Sequence, residues 1–255
     1  MKAKTISIVN QKGGVGKTTT AAALHNALTY RGYKCLSVDA NAQRNLTQCL
    51  DAEMDGTGVA DVLLNPASIR EAIRSVPQGD VLAGSKDLAN IDILQERAGT
   101  DSKYTALKEA LSIVAKDYDY IIIDTPPFMG TLLLNCLLAS DYYIIAAEAD
   151  AFSISAVEDI IENIKDLQGA YGTKIKAAGI LLTRYTGRAT LSKQLLEVFN
   201  KPAKSIKTTV FNTPIREGIA IKEAHLMRQS LYEYAPKSKP AQDYLAVADE
   251  LLKRI

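Results

Sequence analysis

The residues best suited to chemistry lie in one run near the N-terminus, Gln11-Lys12-Gly13-Gly14-Val15-Gly16-Lys17-Thr18-Thr19. The run follows a β-branched stretch, Thr5 to Asn10, and opens a stretch with helical spacing. Strand, glycine-rich turn and helix in that order are the setting a phosphate-binding loop requires. Gly13, Gly14 and Gly16 let backbone N–H groups turn inward around phosphate oxygens with no Cβ in the way. The helix that starts near Lys17 adds the positive end of its dipole. Lys17 is placed to reach the β- and γ-phosphates of a nucleotide, and Thr18 offers a hydroxyl to magnesium. The strict pattern asks for glycine where Gln11 stands, so the loop is a variant one.

A second concentration of chemistry is electrostatic. The formal net charge is only +1, yet Lys174 to Lys239 holds thirteen Lys or Arg against four Asp or Glu, an excess of nine. A basic segment inside a near-neutral chain has the character of a polyanion-binding face. His25 and His225 are isolated and indicate no metal site; His25 falls inside a helical stretch as a structural residue.

These groups need a scaffold, and the chain alternates strand-like and helix-like stretches from end to end. Strands are expected at Thr5–Asn10, Lys34–Asp39, Tyr118–Asp124, Tyr142–Ala147 and Ala178–Thr183, with a weaker one at Thr208–Phe211. Ile121-Ile122-Ile123 is apolar on both faces, as a central parallel strand must be. Helices are expected at Lys17–Tyr30, Ser102–Lys116, Thr131–Ala139, Ser153–Leu167, Thr190–Phe199 and Ala241–Leu252. In the first, Ala21, Leu24 and Leu28 keep the spacing of one buried face; Ile154, Val157, Ile161 and Ile164 do so in the fourth. Alternation of this kind predicts an α/β fold, a P-loop NTPase domain with a mostly parallel sheet covered by helices on both faces. With no linker, repeat or low-complexity tract, residues 1–255 read as a single domain.

Composition is that of a globular protein, with 47% hydrophobic and 23% charged among 255 residues. Apolar runs such as Tyr142 to Ala147 fall far short of the roughly 20 residues a membrane span needs. Met1-Lys2-Ala3-Lys4 runs straight into a strand pattern without signal-peptide character. Cys35, Cys49 and Cys136 are odd in number and unclustered, as in a reducing cytoplasm.

Lys12 to Thr19 resembles the deviant Walker A motif of the ParA/MinD family of ATPases, and nearest its ParA (Soj-like) members. Lys12 matches the family's signature lysine, which crosses to the nucleotide of a second subunit when two subunits sandwich two ATP molecules; its logic is that of an arginine finger. The resemblance extends over nearly the whole chain. Val38 to Asn45 lies where the family has a second acidic motif, and Ile121 to Pro127 resembles its Walker B strand. Asp124 ends that apolar strand with a carboxylate at the mouth of the sheet, where a hard cation would sit. Gly179 to Tyr185 resembles a late strand near which adenine lies, and Pro214 to Asp249 resembles the ParA tail. The resemblance thus implies ATP and Mg2+ as cofactors. Lys12, Gly13, Gly14, Val15, Gly16, Lys17, Thr18, Thr19, Arg184 and Pro214 would contact nucleotide, and Thr18, Asp39 and Asp124 would hold the metal. Lys12, Lys17 and position 41 would be catalytic. One departure matters: the second aspartate of the family's acidic motif, which organises the attacking water, falls on Asn41. Asparagine keeps the shape but loses the charge and nearly all basicity, which sets an expectation of tight ATP binding with slow hydrolysis.

The resemblance also implies a DNA-partitioning ATPase, cytoplasmic and nucleoid-associated. Its ATP-dependent homodimer would bind DNA without sequence preference, and a ParB-like centromere-binding partner would release it. Arg188 and Lys193, near a helix start, and Arg216, Lys222 and Arg228 are the candidate DNA-binding residues, whereas another family arginine falls on Ala220. A MinD-like membrane switch would need a basic amphipathic C-terminal helix, and Asp249 and Glu250 crowd that face. An iron–sulfur electron carrier would need suitably placed cysteines, yet Cys136 sits inside the apolar stretch Leu132 to Leu138. The competing reading is a non-hydrolysing, ATP-dependent regulatory or assembly protein on the same fold.

Overall fold

Seven strands form one sheet: β1 (Lys4–Val9), β2 (Cys35–Asp39), β3 (Ile73–Val76), β4 (Gly79–Leu82), β5 (Tyr120–Asp124), β6 (Tyr142–Glu148) and β7 (Lys176–Thr183). Their order is β3-β4-β2-β5-β1-β6-β7. Every pairing is parallel except β3 with β4. This is a computed structural model; it describes residues 2–99, 103–150, 153–186 and 189–255, the side chains of 189–195 excepted.

The apolar runs explain why the sheet lies in the middle. Ile122 packs with Ile6, Ile8, Leu24 and Leu28 on one face, whereas Ile121 and Ile123 pack with Val38, Leu107 and Leu111 on the other. Each buried isoleucine contributes about 1.5–3 kcal/mol, and a strand covered on both faces has no polar alternation to keep. The first face carries helix α1 (Lys17–Tyr30) and the helix Lys239–Arg254, joined by a hydrogen bond between Thr20 Oγ1 and the Tyr244 hydroxyl at 3.1 Å. The C-terminal helix buries Ala241, Tyr244, Val247, Ala248 and Leu251 against this core. Its apolar stripe is therefore used inside the fold. On the opposite face lie, among others, the helices Ala106–Val114, Thr131–Ala139 and Ser153–Tyr171.

Several boundaries depart from expectation. The helix expected at 102–116 runs Ala106–Val114, and Ser102 lies outside the described residues. The fourth and fifth expected helices extend to Tyr171 and Ser205. Thr208–Phe211 forms no strand; Val210 makes one isolated bridge to Ile180. The β3–β4 hairpin had no counterpart in the sequence reading. Its second strand opens on Gly79 at φ +127, where a Cβ would come within 2.6 Å of His25 Nε2.

That contact explains His25. The ring is fully buried, with Nδ1 2.9 Å from the Ser37 hydroxyl and Nε2 2.8 Å from the Gln78 carbonyl oxygen. A neutral ring that donates from Nε2 and accepts at Nδ1 satisfies both, and burial pushes its pKa down to about 4. A depressed histidine leaves stability intact above its unfolded pKa of about 6.5 and withdraws it as pH falls toward 4. The native protein should therefore lose about 2 kcal/mol at about pH 5 that His25→Gln does not lose. Urea unfolding at several pH values checks this, and identical pH profiles for the two proteins would contradict it.

Candidate functional site

The loop after β1 is set by its backbone. Asn10 is buried; its Nδ2 donates to the Ala146 carbonyl at 2.7 Å, and its Oδ1 accepts from the Lys12 N–H at 2.9 Å. Gly14 and Gly16 have φ of 78 and 87, a left-handed conformation that strains any residue with a Cβ. Gly16 is the N-cap of α1 and supplies no side-chain cap, and the first turn carries no acidic residue. The initial N–H groups of α1 are thus left for an anion. The loop glycines, Lys17, Thr18, Thr19, Asn41 and Pro127 are among the residues that line a cavity of about 220 Å³. Asn41 stands at this cavity, half-buried, with Oδ1 accepting from the Gln43 N–H at 3.0 Å.

Below the loop stand two carboxylates. Asp39 and Asp124 end the adjacent strands β2 and β5 as register partners, and both are fully buried. Asp124 Oδ2 accepts from the Thr18 hydroxyl at 2.6 Å. Asp39 Oδ2 accepts from the Thr47 N–H at 2.8 Å and the Thr47 hydroxyl at 2.7 Å, and Thr47 Oγ1 accepts in turn from the Gly84 N–H at 2.9 Å. Among the described residues, the Oδ1 atom of each aspartate has no hydrogen-bond partner. Burial pushes Asp39 up to about 6, against the Thr47 hydrogen bonds. Burial, and then the Asp39 charge, push Asp124 up to about 7, against the Thr18 hydrogen bond and the Lys17 charge. Two unpartnered carboxylate oxygens beside a threonine hydroxyl form an oxygen donor set that suits a magnesium ion. Desolvation lowers the pKa of Lys17, and Asp124 partly restores it.

Two of the cations singled out in the sequence meet on one acid. Lys12 Nζ lies 2.8 Å from Glu148 Oε2 and 3.4 Å from Asp150 Oδ2, while Arg184 Nη1 lies 2.7 Å from Glu148 Oε1. Glu148 ends β6, one strand away from the loop. Its hydrogen bond is the main reason that the Lys12 pKa is raised. Pro214 precedes Ile215, whose N–H donates to the Leu182 carbonyl at 2.8 Å, so this segment is tied along the end of β7. Neither Arg184 nor Pro214 lines the phosphate cavity. Thr47, Gly84, Asn10, Glu148 and Asp150 escaped the sequence reading. Glu148 and Asp150 alone had a signal: acids at the C-terminal end of a parallel strand, where such sheets place their ligands.

The candidate DNA residues do not share one state. Arg188 and the side chain of Lys193 lie outside the described residues. Arg216 grips the buried Asp243 with two nitrogens, Nη2 at 2.6 Å from Oδ1 and Nε at 2.9 Å from Oδ2. Arg228 makes a loose exposed pair with Asp51 at 3.4 Å. Lys222 is exposed and has no ion pair among the described residues.

A family model described as an AAA domain matches residues 3–177. The chain is 34% identical to the sporulation initiation inhibitor protein Soj of Bacillus subtilis, over 97% of this chain and 98% of that protein. The chain belongs to the ParA/MinD family of ATPases. Within the family it stands on the Soj/ParA side, with 32% identity to the chromosome partitioning protein ParA of Myxococcus xanthus over 98% of this chain and 88% of that one. Among solved structures, cobyrinic acid a,c-diamide synthase from Mycobacterium smegmatis with a bound ATP analogue and magnesium superposes with a TM-score of 0.84. It is 31% identical, over 98% of this chain and 94% of that one. As a ParA/MinD-type chain, this protein has its variant loop at the C-terminal edge of a mostly parallel P-loop sheet.

Proposed function

We propose that this ParA-type ATPase is a nucleotide switch that partitions DNA, with ATP and Mg2+ as its cofactors. The observation that carries the reading is the glycine loop set over two buried aspartates whose Oδ1 atoms lack hydrogen-bond partners among the described residues. Thr18, Asp39 and Asp124 would hold Mg2+, which when bound neutralises charge on the β- and γ-phosphates. Lys17 and the first N–H groups of α1 bind the phosphate oxygens, and Thr47 keeps the Asp39 carboxylate aimed. Asn41 orients a water by hydrogen bonding but takes no proton from it. Lys12 starts on Glu148 and Asp150 of its own subunit and exchanges them for the phosphates of a second subunit. Dimer formation then exposes a composite basic surface to DNA, and a ParB-like partner promotes the return.

A regulatory or assembly protein that holds ATP without hydrolysing it is the second reading, and Asn41 is what favours it. A membrane-bound switch has less support. No helix among the described residues is long and apolar enough to cross a membrane, and the apolar stripe of the C-terminal helix is buried.

Light scattering tests the switch. With ATP and Mg2+ the native chain should double in mass, and with ADP it should stay monomeric. Lys12→Ala should bind ATP yet remain monomeric. A dimer of normal strength in Lys12→Ala would remove the role given to that lysine.

A further inference from the structure

We propose that a cavity at the pole of the sheet opposite the phosphate loop binds a compact anion bearing two or more phosphate groups. The cavity has a volume of about 320 Å³, the size of a small-ligand site. It lies at the N-terminal ends of the strands, beside Thr5 of β1, Tyr142 of β6 and Lys176 of β7. The length of β1, about 20 Å by strand rise, separates it from the nucleotide loop.

Four exposed lysines, from three separate stretches of the chain, line this one concavity. Lys2 precedes β1, Lys108 comes from the helix Ala106–Val114, Lys174 from the segment before β7, and Lys176 from the first position of β7. None has an ion pair among the described residues; the ion pairs fall elsewhere. One carboxylate, Asp141, borders the cavity, and its Oδ2 is taken by the Thr5 N–H at 2.9 Å. Four like charges gathered at one concavity create a positive potential that attracts an anion. A neighbouring cavity of about 530 Å³ shares Tyr142, Ile175 and Lys176 and adds Lys165 and Lys207, so positive charge continues past the first pit. The donors are lysines, flexible point charges suited to phosphate oxygens at varied spacing. Convergence on a pit favours a compact ligand over a duplex, whose phosphates lie along a convex line.

The test is calorimetric titration of inorganic tripolyphosphate into Lys17→Ala protein without Mg2+, so that the nucleotide loop does not compete. One equivalent should bind. Adding Lys108→Ala and Lys174→Ala together should weaken it about tenfold or more, whereas Lys86→Ala with Lys237→Ala, two exposed lysines away from the cavity, should leave it unchanged. Lys108 and Lys174 are exposed, and circular dichroism checks that the variants fold. No binding, or equal weakening by both pairs of substitutions, overturns the proposal. It also fails if the Lys108 and Lys174 changes reduce duplex binding by the otherwise native chain and spare tripolyphosphate, because the surface then belongs to DNA. Unaltered duplex binding with lost tripolyphosphate binding upholds it.

Discussion

Replacing Asn41 by aspartate should raise ATP turnover by about 10²-fold or more, within the range that a positioned general base supplies. Asn41 already stands at the phosphate cavity, two residues beyond Asp39, with its side-chain oxygen held by the Gln43 N–H. The substitution keeps the shape and that hydrogen bond while adding a negative charge and a basic oxygen. Asp39 and Asp124 already crowd the site with carboxylates, so the new charge is tolerated best when the metal is present. The gain should therefore appear in kcat at saturating Mg2+ and shrink when Mg2+ is limiting. Steady-state phosphate release by the two proteins decides it. Equal turnover would mean that another step limits the cycle and that residue 41 does not set the rate of hydrolysis.

The second large effect concerns Lys17. Lys17→Ala should weaken ATP binding by about 10²-fold, the loss expected when charge-assisted hydrogen bonds to phosphate disappear. The folded state should be hardly affected, or slightly more stable. Lys17 is a buried residue whose partial desolvation lowers its pKa, which its interaction with Asp124 only partly offsets. Alanine also suits the first turn of α1, whose packing rests on Ala21, Leu24 and Leu28. Nucleotide titration and thermal unfolding of the same preparation separate the two quantities. A variant that lost binding and stability together would make Lys17 a structural residue first.

Much of this was legible in the sequence because it was local. Strand, loop and helix from Thr5 to Tyr30 follow from composition over a short window, and α1 runs over the expected Lys17–Tyr30. Ile121 to Ile123 reveal a buried parallel strand because no face of it can meet water. The hairpin β3–β4 was not legible: its strands have four residues each, and Ile73 to Val76 are only half covered. What fixes it is the fit of Gly79 under His25, which sequence order does not display. The site shows the same division. The loop is contiguous and readable, whereas Thr47, Gly84 and Glu148 act through contacts between distant segments. Arg216 adds to the basic excess in sequence but is held by Asp243 in the fold, so net charge overstated what is free to meet a polyanion.

The measurement closest to the central claim is equilibrium binding to unrelated DNA duplexes with ATP, with ADP and without nucleotide, across a salt series. A partitioning switch should bind every duplex alike, only with ATP, and with an affinity that falls steeply and linearly in log salt. Binding that is indifferent to nucleotide or to salt, or absent while ATP is bound, would contradict the account.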